Sequence, residues 1–207
     1  FNPSDKMSGG KISINKNLSD SSNIFLSIAR GFNQGGFNLN LGLAPESNNS
    51  NLYYDPEFLT NYEIGFNSQL FNKMMNVSAV IFYSDRDDQQ VLISTQVDPM
   101  DPNTFSFLTQ NAAEGINKGV ELNLDMELSE SVYFFSRFGL LQTDINNWKS
   151  RPDLEGRAQA HAPKKSFALG INWSITDRAS LSIDLVGKSS FYYSDSHDNQ
   201  SSSYSLT

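Results

Sequence analysis

Along most of this chain, apolar and polar residues take turns. Tyr62, Ile64, Phe66 and Leu70 alternate with Asn61, Glu63, Gly65, Asn67 and Gln69. Ile116, Val120, Leu122, Leu124, Met126 and Leu128 alternate with Asn117, Gly119, Glu121, Asn123, Asp125 and Glu127. Successive side chains of a strand point to opposite faces, so a period of two predicts strands with one apolar and one polar face. Weaker versions run through Ile12 and Ile14; Ile24, Leu26 and Ile28; Val77, Ala79, Ile81 and Tyr83; and Val132, Phe134, Phe138 and Leu140. Two more carry Phe167, Leu169, Ile171, Trp173 and Ile175, then Leu181, Ile183 and Leu185.

Parity tests the pattern, because a hairpin that slips by one residue sends its apolar side chains to the wrong face. Pairing Leu70 with Met75 sets Phe66 opposite Ala79, Ile64 opposite Ile81 and Tyr62 opposite Tyr83. Pairing Leu128 with Val132 sets Met126 opposite Phe134, Leu122 opposite Phe138 and Val120 opposite Leu140. Pairing Ile175 with Leu181 sets Trp173 opposite Ile183 and Ile171 opposite Leu185. In the first hairpin Lys16 and Arg30 fall on the apolar parity, near strand ends where a long side chain can snorkel to lipid headgroups.

Connections alternate in length. Short turns are expected at 19–22, 71–74, 129–131 and 176–180, and long polar stretches at 32–59, 87–110, 142–165 and 189–203. Tight turns on one side and long loops on the other are the signature of an outer-membrane barrel. The expected fold is therefore all-β: an antiparallel transmembrane β-barrel fragment of about eight to nine strands, with short periplasmic turns and long extracellular loops.

Composition agrees without adding much. Mean hydropathy is -0.42 and no apolar run approaches the roughly 20 residues of a membrane helix. With 15 Lys+Arg against 23 Asp+Glu the net charge is -8, and without a local basic patch this excludes nucleic acid as a partner. The chain has no cysteine.

Candidate chemistry is sparse. Glu121, Asp125 and Glu127 share the polar face with Arg137, which predicts a luminal charge network rather than a catalytic carboxylate pair. Asp85, Asp87 and Asp88 lack the glycine turn and terminal glutamate of a calcium loop, and read as a solvated strand end. His161 and His197 have no Cys or His companions, so no metal site is expected. No set of nucleophile, base and orienting group is present, so neither a catalytic residue nor a cofactor is expected.

Specific blocks resemble a known family. FLSIARGFNQGGFN at 25–38, Pro56-Glu57 followed by NYEIG at 61–65, AVIFYSDRDDQQV at 79–91, and Asn111-Ala112-Ala113, Gly115 and Gly119-Val120-Glu121-Leu122 occur in the order of strands in TonB-dependent receptors. Glu155-Gly156-Arg157 and His161-Ala162-Pro163 match more loosely. The resemblance implies a 22-stranded barrel filled by an N-terminal plug. It implies outer-membrane lipid and TonB as partners, location in the outer membrane of a Gram-negative bacterium, and a small-molecule substrate such as a ferric siderophore. Residues 1–207 are then expected to be part of one barrel domain, with the plug, the TonB-binding segment and the final strands outside them. Arg30, Asn33, Gln34, Tyr53, Tyr54, Trp148 and His161 are candidate ligand contacts, because they carry polar or aromatic tips in loop positions. Two other readings remain open: a complete small outer-membrane barrel with an adhesive or structural role, and a soluble carbohydrate-binding β-sandwich.

Overall fold

The computed structural model describes residues 6–38, 52–96, 98, 100–101, 103–148, 151–195 and 198–207. Strands β1 (Gly10–Ser19), β2 (Ser22–Asn33), β5 (Glu57–Leu70), β6 (Met75–Gln96), β7 (Phe105–Ser129), β8 (Val132–Trp148), β9 (Lys165–Thr176), β10 (Ala179–Lys188) and β11 (Tyr204–Leu206) form one antiparallel meander. A separate two-stranded sheet is made by β3 (Gly36–Phe37) and β4 (Tyr53–Tyr54), and a short 3-10 helix spans Pro152–Leu154. Among the described residues no second large sheet packs on the first, which removes the sandwich, and β1 and β11 are both edges, so these strands do not close into a small barrel.

The two faces differ as the alternation predicts. Ile14, Leu26, Ile64 and Ile81 form one continuous row across four strands, yet each is 50–67% exposed. The row continues through Val120 and Leu140. An exposed apolar surface this contiguous is the kind that the outer face of a transmembrane barrel carries. The opposite face carries Asn67, Ser78, Asn123 and Arg137 in one row.

Register also gives the tilt. Followed from the β1–β2 hairpin to the β9–β10 hairpin, the tight turns move along the strands by about one residue per strand. With ~3.3 Å per residue and ~4.8 Å between strands, that stagger means strands inclined by about 35–40°, inside the range of transmembrane barrels. A flat two-layer sandwich has no need of it.

Three of the four tight turns use one local device. Leu18-Ser19-Asp20, Leu128-Ser129-Glu130 and Ile175-Thr176-Asp177 each place a hydroxyl just before the corner. That oxygen accepts the backbone N–H two residues on: Ser21 to Ser19 at 3.3 Å, Ser131 to Ser129 at 3.3 Å and Arg178 to Thr176 at 3.2 Å. The apolar residue before the hydroxyl has no cross-strand partner and bulges out of the ladder. Hydroxyl-capped turns are tight, and tightness displaces one residue.

Two expected pairings fail for this reason. Ser129, not Leu128, meets Val132, while the rest of that hairpin keeps the expected register. In the last hairpin Leu181 pairs with Trp173 and Ile183 with Ile171, two residues from the expected match, with parity and therefore face preserved. The pairs from Leu70 and Met75 to Tyr62 and Tyr83 are as expected.

The long connections are shorter than their composition suggests. Of the stretch 87–110, β6 takes the part up to Gln96 and β7 the part from Phe105, and β8 reaches Trp148 within 142–165. Past Tyr83 in β6 and Leu141 in β8 the strict alternation ends while the hydrogen-bonded ladder continues. A bulge between Arg86 and Gln89, with Asp88 at φ 54, marks the change in β6.

Candidate functional site

Near the tight-turn end, the polar face brings together Asp125 on β7 and Arg137 on β8. The guanidinium donates to the carboxylate at 2.5 Å and to the carbonyls of Leu124 and Ser136 at 2.8 and 3.0 Å. The Tyr133 hydroxyl joins from the same strand by donating to Asp125. Arg137 faces Asn123 and so has Glu121 and Asp125 as diagonal neighbours. It selects Asp125, where tyrosine adds a second donor. Among the described residues Glu121 and Glu127 form no ion pair, so the four-membered network expected from sequence is a carboxylate, an arginine and a tyrosine.

The loop end of the same face is built around Glu57. Its carboxylate accepts the Arg86 guanidinium through Nε at 2.8 Å and through Nη2, and accepts the Gln90 backbone N–H at 3.0 Å. Arg86 also donates from Nη1 to Gln159 Oε1 at 3.3 Å, and Gln159 N–H donates to Thr143 Oγ1 at 2.9 Å. Glu57 is 7% exposed, so the ion pair is largely withdrawn from water and its hydrogen bonds must compensate the desolvation. Gly115 makes the space. A Cβ there would lie 2.6 Å from Gln89 Oε1 and 2.7 Å from Gln159 Nε2.

Asn111 locks the next layer. It accepts Asp55 N–H at 2.6 Å and donates to the carbonyls of Asp55 and Asp88, both at 2.8 Å. Gln90 donates to the carbonyls of Gln34 and Asp55 at 3.0 Å and accepts from Asn33 at 2.9 Å. Asn38 pairs with the Thr109 backbone in both directions at 2.8 Å, imitating a strand neighbour. The segment 30–38 is thereby stapled to β6 and β7.

The ligand candidates from sequence divide accordingly. Arg30 lies on the apolar side, its guanidinium 4.6 Å from the Phe58 ring centroid. Asn33 is spent on Gln90, and Trp148 is 0% exposed in a cluster with Val91, Ile145 and Leu154. Tyr53 meets Phe37 at 5.7 Å, and the Tyr54 hydroxyl lies over Gly36. His161, at φ 56, is exposed 6.0 Å from Phe191. Gln34 is exposed, and its carbonyl accepts from Gln90. His197 lies outside the described residues.

Sequence reasoning passed over Tyr133, Asn111, Gln90 and Arg157. Arg157 lies 3.9 Å over the Tyr192 ring and donates to Asp198 at 3.2 Å and to the Ser194 carbonyl at 3.2 Å, tying the loop after β8 to the loop after β10. The family blocks were the available signal: Glu57, Arg86, Gln90, Asn111 and Gly115 all come from them. Among the described residues no group of three His, Cys, Asp or Glu could hold a metal ion.

The profile described as "TonB dependent receptor-like, beta-barrel" matches residues 10–207. The chain belongs to that family. Solved receptors share its fold. The ferric yersiniabactin uptake receptor FyuA from Yersinia pestis aligns at TM-score 0.72 and 16% identity, over 94% of this chain and 28% of its own. The siderophore receptor PiuA from Acinetobacter baumannii aligns at TM-score 0.71 and 19% identity, over 94% and 28%. The copper transporter OprC aligns at TM-score 0.70 and 12% identity, over 96% and 29%. No curated protein sequence matches. The chain thus spans little more than a quarter of the length of the receptors it matches. In TonB-dependent receptor barrels the tight turns are periplasmic, the long loops extracellular and the polar face luminal. On this sheet's polar face Asp125–Arg137 lies at the tight-turn end and the Glu57 cluster at the long-loop end.

Proposed function

We propose that the whole receptor to which these strands belong imports a scarce iron complex, with ferric siderophores the favoured class, across the outer membrane using energy delivered through TonB. The observation that carries this reading is the bracing of the extracellular ends. Glu57, Arg86, Gln90 and Asn111 hold the roots of three loops against the luminal wall, so residues above them can be presented to a ligand from fixed positions. Gln34, Tyr53, Tyr54 and His161 are the proposed contacts. The Asp125–Arg137 pair keeps the lower wall in shape and hydrated.

The test is direct binding to the full-length receptor, followed by uptake in cells with and without TonB. Ferric siderophores, haem, cobalamin and a copper salt make the panel. Selective binding of a ferric siderophore with TonB-dependent iron uptake supports the reading. Binding of the copper salt alone, or growth on iron indifferent to loss of the receptor, overturns the iron assignment.

A further inference from the structure

The consecutive backbone N–H groups of Gln159, Ala160 and His161 are tied to three different places. Gln159 donates to Thr143 Oγ1 on β8 at 2.9 Å. Ala160 donates to Asp195 Oδ1 at 2.6 Å and His161 to the Tyr192 carbonyl at 2.8 Å, both in the loop after β10. The Gln159 side chain is seated on the sheet. Gln159 is 6% exposed, its Oε1 accepts from Arg86 Nη1 at 3.3 Å, and its Nε2 lies over Gly115, 2.7 Å from where a Cβ would stand. Gln89 Oε1 approaches the same point at 2.6 Å. A guanidinium can only donate, so Arg86 fixes which way the Gln159 amide is turned and sets its donor over the glycine beside the oxygen of Gln89. Two residues on, the backbone turns a corner at His161, with φ 56. Pro163 biases Ala162 towards extended backbone, and the bend falls on the histidine. Glycine takes that conformation freely and histidine takes it under strain, so the surroundings must hold it. The imidazole stays exposed, 6.0 Å from the Phe191 ring.

We propose that Gln159 is a positioning residue: seated over Gly115 and held by Arg86, it fixes the corner at His161 and so the place from which that imidazole meets the imported ligand. The inference rests on the ligand contact proposed for His161 above and extends it to a buried residue that acts through it. Gly115 belongs to the same device, because a side chain there pushes Gln159 off its seat.

The experiment uses the full-length receptor in detergent micelles. Gln159→Met keeps the bulk over Gly115 but offers Arg86 no oxygen, and Gly115→Ala displaces Gln159 from below. Asp153→Asn, in an exposed pair of the same loop, is the control. Hydrogen exchange read by fragmentation mass spectrometry should be at least about tenfold faster at residues 159–161 in the first two variants and unchanged in the control. Gly156 and Arg157, whose N–H groups donate to the Ile145 and Leu154 carbonyls at 2.7 and 3.1 Å, should keep wild-type exchange. Unchanged exchange at 159–161, or a rise spread over the whole loop, overturns the proposal. If Gly115→Ala does not fold, Gln159→Met decides. Affinity is then measured for the ferric complexes of a catecholate, a hydroxamate and a hydroxycarboxylate siderophore, one at a time. With the complex that binds the wild type, Gln159→Met and His161→Ala should each weaken binding about tenfold, and the two together no more than His161→Ala alone. Additive losses overturn the positioning role alone. No loss in His161→Ala brings down the ligand contact itself, whatever the exchange shows. Binding of none of the three complexes brings down the iron reading, and exchange at 159–161 then decides by itself whether Gln159 holds the corner.

Discussion

Phe135 lies across Gly170. A Cβ on that glycine would sit 2.1 Å from Phe135 Cε1 and 2.4 Å from Asp184 Oδ1. Phe25 covers Gly65 and Phe82 covers Gly119 in the same way on the same face, at 2.1 and 2.8 Å. Each ring spreads over the neighbouring strand instead of standing into the lumen, and the glycine beneath allows it. Gly170→Ala should therefore destabilise the barrel by about 1–3 kcal/mol, because the ring must leave its position. Gly31→Ala, which meets nothing within 4 Å, should be neutral or slightly stabilising. Urea unfolding of the two variants in lipid vesicles checks both.

Glu57 and Arg86 should be intolerant of single replacement. Glu57→Gln removes the charge and leaves a guanidinium that is only partly reached by water, its side chain 25% exposed. The expected loss is about 2–4 kcal/mol, discounted from a fully buried pair for that residual hydration. Arg86→Gln with Glu57→Gln together should cost less than the sum of the two, and a double-mutant cycle measures the difference.

Asn111→Asp keeps an acceptor for Asp55 N–H and discards both donors to the Asp55 and Asp88 carbonyls. The expected result is local: faster amide exchange at Asp55, Asp88 and Gln90, with little change at Asp125 or Arg137. Hydrogen exchange read by mass spectrometry separates this from a global loss, which would raise exchange everywhere.

Phe71, Asn72 and Lys73 occupy the left-handed region at φ 52, 56 and 72. This is costly for side chains other than glycine and asparagine. Lys73→Gly should stabilise the β5–β6 hairpin by about 1 kcal/mol, seen as slower unfolding. A destabilisation would mean that the lysine side chain contributes more than its backbone strain costs.

In the loop after β8, Arg151 donates to both Asp153 oxygens at 3.0 and 2.9 Å, and this hydrogen bonding holds the Asp153 carboxyl below its ordinary range. A depressed carboxyl contributes stability above its unfolded value and loses it as pH falls through the folded one, so the pair should weaken only below about pH 4. Because the pair is exposed, Asp153→Asn should leave thermal unfolding at neutral pH unchanged, in contrast to Glu57→Gln.

Strand identity and facing were legible in the chain because alternation is a local property, imposed wherever one face meets lipid and the other water. Leu70 to Met75 shows how far that goes: parity and a turn of ordinary length fixed every pair up to Tyr62 and Tyr83. Ile175 and Leu181 show where it stops. Parity permits steps of two, and the hydroxyl-capped corner at Thr176 made the choice. The site was less legible. Arg30, Asn33 and Trp148 carry the right tips for ligand contact, yet Phe58, Gln90 and an apolar cluster occupy them.

The sequence by itself determined the apolar face, the tight-turn side and the family, since each rests on side-chain period or on short ordered blocks. Only the tertiary structure decided that Glu57, Arg86, Thr143 and Gln159 meet. They come from four separate segments, and hydrogen-bond partners so far apart in sequence are chosen by where stagger and bulges place each strand, a sum of small displacements that no local pattern records.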